Sequence, residues 1–220
     1  MSFWSRKNNK EFPDFWKDYL ALFDKTYDKV PIEEIRFVAF DTETTGFDYV
    51  NDRVLSIGAI AINYIAIDVS DQLELYLEQD VFNSATVKIH GIRRNNNFET
   101  VTESKAIEMF IKYIGNSILI AHHADFDRRM INSALQRQGL GKLKNRFLDT
   151  GVLFRKTKHL VYRNQRGSNH YTLDELCDDL KISKSDRHTA SGDAFITAMA
   201  FLKIVSKLKI DKEDKASTLF

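Results

Sequence analysis

Cysteine, proline and glycine are scarce in this chain of 220 residues: 1 Cys, 2 Pro and 9 Gly. The single thiol, Cys177, excludes an intrachain disulfide, and its apolar helical surroundings read as core filling rather than as a nucleophile. There is no repeat, no low-complexity tract and no long flexible linker. No apolar run approaches the ~20 residues that span a bilayer. The opening Met-Ser-Phe-Trp-Ser-Arg-Lys lacks an apolar signal core, so a cytoplasmic location is the expectation. An excess of one charge is also missing: 32 Lys and Arg against 31 Asp and Glu give a formal net charge of +1. That excludes a global basic field, so any contact with nucleic acid must come from local clusters or bound metal.

What is present fits a folded domain with extensions: 43% hydrophobic, 29% charged and 12% aromatic residues. Residues 1–33 read as an aromatic helical extension. Within it Phe12, Phe15, Trp16, Tyr19, Leu20 and Phe23 share one helical face. Residues 34–208 read as the main domain and 209–220 as a charged, frayed tail. Apolar runs predict strands at Ile35–Asp41, Val54–Ile62, Gln72–Leu77, Ser117–Ala121 and Phe147–Leu148. Short connections make the first three an antiparallel meander. Helices are predicted at Lys105–Tyr113, Asp125–Gln138, Thr150–Lys156, Leu173–Leu180 and Ser191–Leu208. The pattern is α/β: a mixed sheet covered by helices.

Four carboxylates and one histidine stand at the edges of these segments. Asp41 and Glu43 are two residues apart on a strand end, so they share a face and can grip a hard cation. Asp127 heads the apolar stripe of its helix, on the face where an unpaired charge is costly. Asp193 opens the last helix, with Ser191 as the expected cap. His188 would point ~140° away from Asp193 on a continuous helix, so it must sit on the loop before it. A neutral imidazole there can take a proton from water. Taken singly, Asp41 and Glu43 can be read as solvated acids and His188 as a surface histidine, whereas an acid that merely favours a helix N-terminus does not explain Asp127 on the buried face.

Together the motifs resemble the DEDDh (DnaQ-like) group of 3′–5′ exonucleases, and within it the epsilon-type proofreading subunit of bacterial DNA polymerase III. Phe40-Asp41-Thr42-Glu43-Thr44-Thr45-Gly46 matches the first motif. Ala121–Asp127 matches the second, with His123 in place of Asn. His188 and Asp193 match the third, and Thr189 stands where the tyrosine subtype places Tyr. Leu148-Asp149-Thr150, Thr172–Cys177 and His90-Gly91-Ile92 resemble connecting segments. The likeness covers about residues 35–208.

The resemblance implies a ribonuclease H-like fold with a mixed five-stranded sheet. It implies two divalent ions, Mg²⁺ or Mn²⁺, held by Asp41, Glu43, Asp127 and Asp193, with His188 as general base. The substrate would be single-stranded DNA 3′ ends, with RNA as the alternative. A third reading is a catalytically silent nucleic-acid-binding module. Thr44, Thr45 and Gly46 would meet the terminal sugar, His90 would line the pocket, and Phe47 would either stack on bases or pack in the core. Arg93–Arg94, Arg128–Arg129, Arg155, Lys156, Lys158 and the loop Tyr162–His170 either track phosphates or are solvated faces. The ending Leu219-Phe220 faintly resembles a sliding-clamp docking motif, and the aromatic helix is either self-packed or an interface such as a polymerase contact.

Overall fold

The computed structural model describes residues 12–24, 27, 29–64, 66–80, 87, 91, 92, 99–158 and 171–220. Strands β1 (Arg36–Thr44), β2 (Val54–Asn63) and β3 (Ala66–Leu77) form the expected antiparallel meander. β5 (Ile118–Ala121) lies parallel to β1, and β6 (Phe147–Asp149) parallel to β5. Among the described residues the sheet has six strands rather than the expected five, in the order β4-β3-β2-β1-β5-β6. The addition is β4 (Thr100–Val101), parallel to the end of β3. Two residues are too few to carry an alternation, so periodicity cannot mark them. β1 also runs to Thr44, which puts Glu43 inside the strand.

Among the described residues the helices are α1 (Asp14–Ala21), α2 (Glu103–Ile114), α3 (Ala124–Arg137), α4 (Thr150–Lys156), α5 (Leu173–Leu180) and α6 (Ala190–Leu208). Alternation along β1 divides the core into two layers. Val38 and Phe40 pack with residues of α1, α2 and α3, while Phe37 and Ala39 pack with residues of α4, α5 and α6. Each fully buried ring such as Phe37 or Phe40 contributes about 1.5–3 kcal/mol. Continuing the alternation, Asp41 and Glu43 belong to the α6 side of β1 and Thr42 to the α3 side.

Helix α6 lies close on β1 and β2 because its sheet-facing residues include Ala190, Ala194 and Ala198, all buried. The approach is tightest at Gly58. A Cβ there would stand 2.2 Å from both the Ala190 carbonyl carbon and the Ser191 nitrogen. Gly58 is also the β2 residue that pairs with Asp41. A missing side chain therefore lets α6 begin directly beside the acid.

At the N-terminal side, Trp16 and Tyr19 are buried in the layer formed with α2 and α3. The Tyr19 hydroxyl donates to Asn145 Oδ1 at 2.6 Å. The aromatic face of α1 is thus spent on this chain's own core. The C-terminal tail is not frayed. Lys215 bridges to Pro31, Ala216–Leu219 form a 3-10 turn, and Leu219 is buried. Arg146 lies 3.4 Å above the Phe220 ring. Apolar anchors outweigh the run of charges that made the tail look solvated, and Leu219 would have to leave the core to dock elsewhere. Among the described residues, no helix is long and apolar enough to cross a membrane.

Candidate functional site

Three of the four acids converge. Asp41, Glu43 and Asp193 each offer a carboxylate oxygen, and these atoms all lie within 4.8 Å of one another. Two come from one face of β1 and the third from the first turn of α6, brought over the sheet at Gly58. Burial, followed by the charges of Asp127, Asp193 and Glu43, pushes the Asp41 carboxyl well above the usual carboxylate range, against the pull of Arg187. Burial also raises Glu43 to about 7, with Asp193 and Asp127 adding to it. Such a cluster is short of positive charge.

Asp127 stands beside this trio rather than in it. Its Oδ1 accepts from the Thr42 backbone N–H at 3.0 Å and from the Thr42 hydroxyl at 2.7 Å. Burial outweighs these donors and lifts Asp127 to about 7. Thr42 points to the opposite face of β1 from Asp41, so the same three residues of strand organise both sides of the site.

His188 lies in the turn before α6, as expected, exposed and with a left-handed φ of 67°. Its backbone N–H donates to Asp193 Oδ2 at 3.3 Å. The cap of α6 is Thr189, not Ser191: Thr189 Oγ1 accepts from the Gly192 N–H at 3.1 Å. Ser191 instead donates its hydroxyl to Glu74 Oε1 of β3 at 2.7 Å. With Thr189 as cap, the helix starts at Ala190, one residue before the expected Ser191.

The residue that sequence reasoning missed is Arg187. Its Nη1 donates to Asp193 Oδ2 at 2.5 Å and its Nε to Asp174 Oδ1 at 2.7 Å. A usable signal existed: a buried Asp193 needs a counter-charge, and Arg187 is the basic residue in the adjoining turn.

The turn after β1 is fixed by its own polar groups. Thr44 Oγ1 donates to the Gly46 carbonyl at 2.8 Å, and Thr45 Oγ1 to Asp52 Oδ1 at 2.7 Å. A Cβ at Gly46 would come within 2.4 Å of the Asp52 carboxylate and displace the side chain that accepts from Thr45 and Asp48. The turn exposes Phe47, 78% of whose surface is open, with one side against Phe126 at 5.7 Å between ring centroids. Phe47 is therefore not a core residue.

His123 adopts a left-handed φ of 58° at the start of α3. Asn and His both tolerate that region better than most residues, which accounts for the exchange. His122 is buried, with Nδ1 2.9 Å from Thr150 Oγ1, and burial lowers its pKa to about 4. Neither histidine belongs to the acidic cluster found among the described residues. Arg128 and Arg129 both pair with Asp125, and Lys158 pairs with Asp179. His90, Arg93, Arg94 and the loop Tyr162–His170 lie outside the described residues.

A family model described as an exonuclease (RNase_T) matches residues 38–201. The DNA polymerase III PolC-type protein of Caldanaerobacter subterraneus subsp. tengcongensis is 32% identical over 177 residues, covering 80% of this chain and 12% of that protein. The DNA polymerase III subunit epsilon of Buchnera aphidicola is 30% identical over 181 residues, 76% of this chain and 71% of the subunit. This chain thus spans a small part of its PolC-type relatives and most of the epsilon subunit. Among solved structures, E. coli exonuclease I in complex with a dA16 oligonucleotide superposes with a TM-score of 0.66 at 19% identity, over 78% of this chain and 41% of that one. Exonuclease X in complex with 5′ overhanging duplex DNA gives 0.60 at 20% identity, over 84% and 99%. These two share the ribonuclease H-like fold with this chain.

Proposed function

This chain belongs to the RNase_T exonuclease family, and on that premise we propose that it is a metal-dependent 3′–5′ exonuclease of the DEDDh type acting on DNA ends. The observation that carries the proposal is the convergence of Asp41, Glu43 and Asp193 within 4.8 Å. Like charges at that spacing, with the pKa of Asp41 and Glu43 driven upward, call for a cation. The donor set is all oxygen, which suits Mg²⁺ or Mn²⁺. Asp193 Oδ1 is buried and has no hydrogen-bond partner among the described residues, so a ligating atom stands ready. Asp41, Glu43 and Asp193 would hold one ion, and Asp41 with Asp127 a second. Bound ions would supply charge stabilisation for an in-line displacement at phosphorus.

The protein's own groups then divide the work. His188, exposed on a turn at the rim, accepts the proton of the attacking water. Water oxygen forms the new bond to phosphorus, the P–O3′ bond breaks, and the departing 3′-oxygen takes a proton from solvent. The product is a nucleoside 5′-monophosphate and a strand shorter by one nucleotide. Phe47, held outward by a turn its own polar groups lock, stacks on a base without reading its identity. Thr42 fixes the orientation of Asp127 from the other face of β1. The resemblance to epsilon and PolC-type proteins supports a proofreading or repair role beside a polymerase.

The test is incubation with 5′-labelled DNA and RNA oligomers in Mg²⁺, Mn²⁺ or chelator. Stepwise shortening of DNA from the 3′ end, lost in chelator and in Asp41→Ala, is the expected result. His188→Ala should slow the reaction by about 10²–10⁴-fold. Undiminished activity in that variant would remove its role as base. Preference for RNA would move the substrate assignment, and binding without cleavage would make the chain a binding module.

A further inference from the structure

The third acid of the cluster is held by a device that the proposed reaction does not use. Asp193 is only 5% exposed. One of its oxygens, Oδ2, takes the Arg187 Nη1–H at 2.5 Å and the His188 N–H at 3.3 Å. Its other oxygen, Oδ1, is buried with no hydrogen-bond partner among the described residues. A carboxylate anchored through one oxygen has its plane and rotamer set, and Oδ1 is the oxygen left free for a ligand. Arg187 is itself anchored, because its Nε donates to Asp174 Oδ1 at 2.7 Å. Its side chain is 15% exposed, so two carboxylates hold a guanidinium largely out of water.

We infer that Arg187 is a positioning residue for the metal centre: tethered by Asp174 at the start of α5, it grips Asp193 Oδ2 and so presents Oδ1 to the divalent cation. The inference rests on the metal-site reading above. It also gives Asp174, in the connecting segment Thr172–Cys177, a task.

The sign of the effect needs deciding, since a guanidinium is positive and so is the ligand. An isolated Arg187 would repel the cation, and its removal would tighten metal binding. Here the charge is shared between Asp174 at 2.7 Å and Asp193 at 2.5 Å, which weakens its repulsion of the cation without removing it. Orientation then dominates, and loss of Arg187 weakens binding. Partners of this kind, one step out from the ligands, typically govern metal affinity by 10–100-fold.

The test is Mn²⁺ titration of the full metal-free chain, read by calorimetry or by loss of the free-ion EPR signal. Arg187→Ala is expected to bind Mn²⁺ about 10–100-fold more weakly than wild type. Added methylguanidinium should restore most of that loss, which a merely structural defect would not allow. Arg187→Lys, which keeps the charge but not the two-sided fork, should fall between and serves if the alanine variant fails to fold. Asp174→Ala combined with Arg187→Ala should be no weaker than Arg187→Ala alone, since Asp174 acts only through Arg187. Mn²⁺ affinity equal to or tighter than wild type in folded Arg187→Ala or Arg187→Lys overturns the inference, as does an additive double variant. Asp41→Ala separates the two levels. If wild type binds Mn²⁺ and Asp41→Ala does not, the metal site stands whatever Arg187 does. If wild type binds none, the metal-site reading fails and this inference fails with it.

Discussion

Two helices deliver an acid to this site from their first turns, and they hold it in different ways. At the start of α3, Asp127 is gripped by neutral donors, the N–H and hydroxyl of Thr42. At the start of α6, Asp193 is gripped by a cation, Arg187. The first arrangement leaves the charge of the acid uncompensated, and burial lifts Asp127 to about 7. The second stations a counter-charge beside the site, and that charge also pulls down on Asp41 and Glu43. Both fix direction through one oxygen, Oδ1 of Asp127 and Oδ2 of Asp193, but only Asp193 belongs to the cluster, and Asp127 stands beside it. The difference teaches that orientation and neutralisation are separable tasks: Thr42 does the first, and Arg187 does both.

The comparison breaks most severely if one helix start is lifted while the other is left alone. Gly58→Ala does this. The added Cβ meets Ala190 and Ser191 backbone at 2.2 Å, and backbone cannot rotate away as a side chain can. Overpacking of this kind costs about 1–3 kcal/mol, and more where the neighbour is fixed. Asp193 and the His188 turn should move off the sheet while Asp127 keeps its bonds to Thr42. Thermal unfolding should fall by several degrees and cleavage should drop to near background. A Gly58→Ala protein with wild-type melting and cleavage would refute the close approach.

A smaller effect follows from the uncompensated charges themselves. Asp41, Glu43 and Asp127 all have folded-state pKa values raised above their ordinary ones, the latter two to about 7. Below pH ~4 these groups are protonated both folded and unfolded, and their contribution is fully present. As pH rises toward 7 the unfolded chain releases protons that the folded chain retains, so stability is lost. Each group costs at most about 1.4 kcal/mol per pH unit in that window, and the loss levels off above the folded value. Acids whose pKa is lowered, such as Asp174 and Glu108, act in the opposite sense near and below pH ~4. Metal-free protein should therefore melt lower at pH 8 than at pH 5. Saturating Mg²⁺ should erase much of the gap, and Glu43→Gln should narrow it in chelator. A gap unchanged by Glu43→Gln would remove that residue from the account.

Helices with a cap and an apolar stripe could be read from the sequence almost to the residue, as at Leu173–Leu180, where Thr172 and Glu175 form a capping box. The placement of His188 on a loop also followed from helical geometry. Arg187 was legible only in part: a buried Asp193 asks for a counter-charge, but no local pattern says that Arg187 rather than Lys184 supplies it, or that Asp174 closes on its other side. Gly58 carried a legible signal, since a glycine inside an apolar strand often marks a close backbone approach. What approached it was a matter of topology, which no local pattern holds. Thr42 was hidden differently. The motif drew the eye to Asp41 and Glu43, and the residue between them faces the other layer.

The finest test of the comparison is therefore Thr42→Val, which removes the hydroxyl donor to Asp127 at 2.7 Å and keeps the N–H donor at 3.0 Å. A donor to a carboxylate favours its charged form, so losing one should push Asp127 further up from about 7. At neutral pH a larger fraction of Asp127 would then be protonated and unable to serve a cation. Cleavage at pH 7 should fall roughly 10-fold. The deficit should shrink as pH rises and approach parity once Asp127 is ionised in both proteins. Because the α3 acid is oriented by two donors and only one is lost, direction is retained and charge is what changes. A pH–rate profile decides the matter. An upward displacement of the acidic limb means Thr42 tunes the ionisation of Asp127, whereas a deficit of the same factor at every pH means it acts on geometry, as Arg187 does for Asp193.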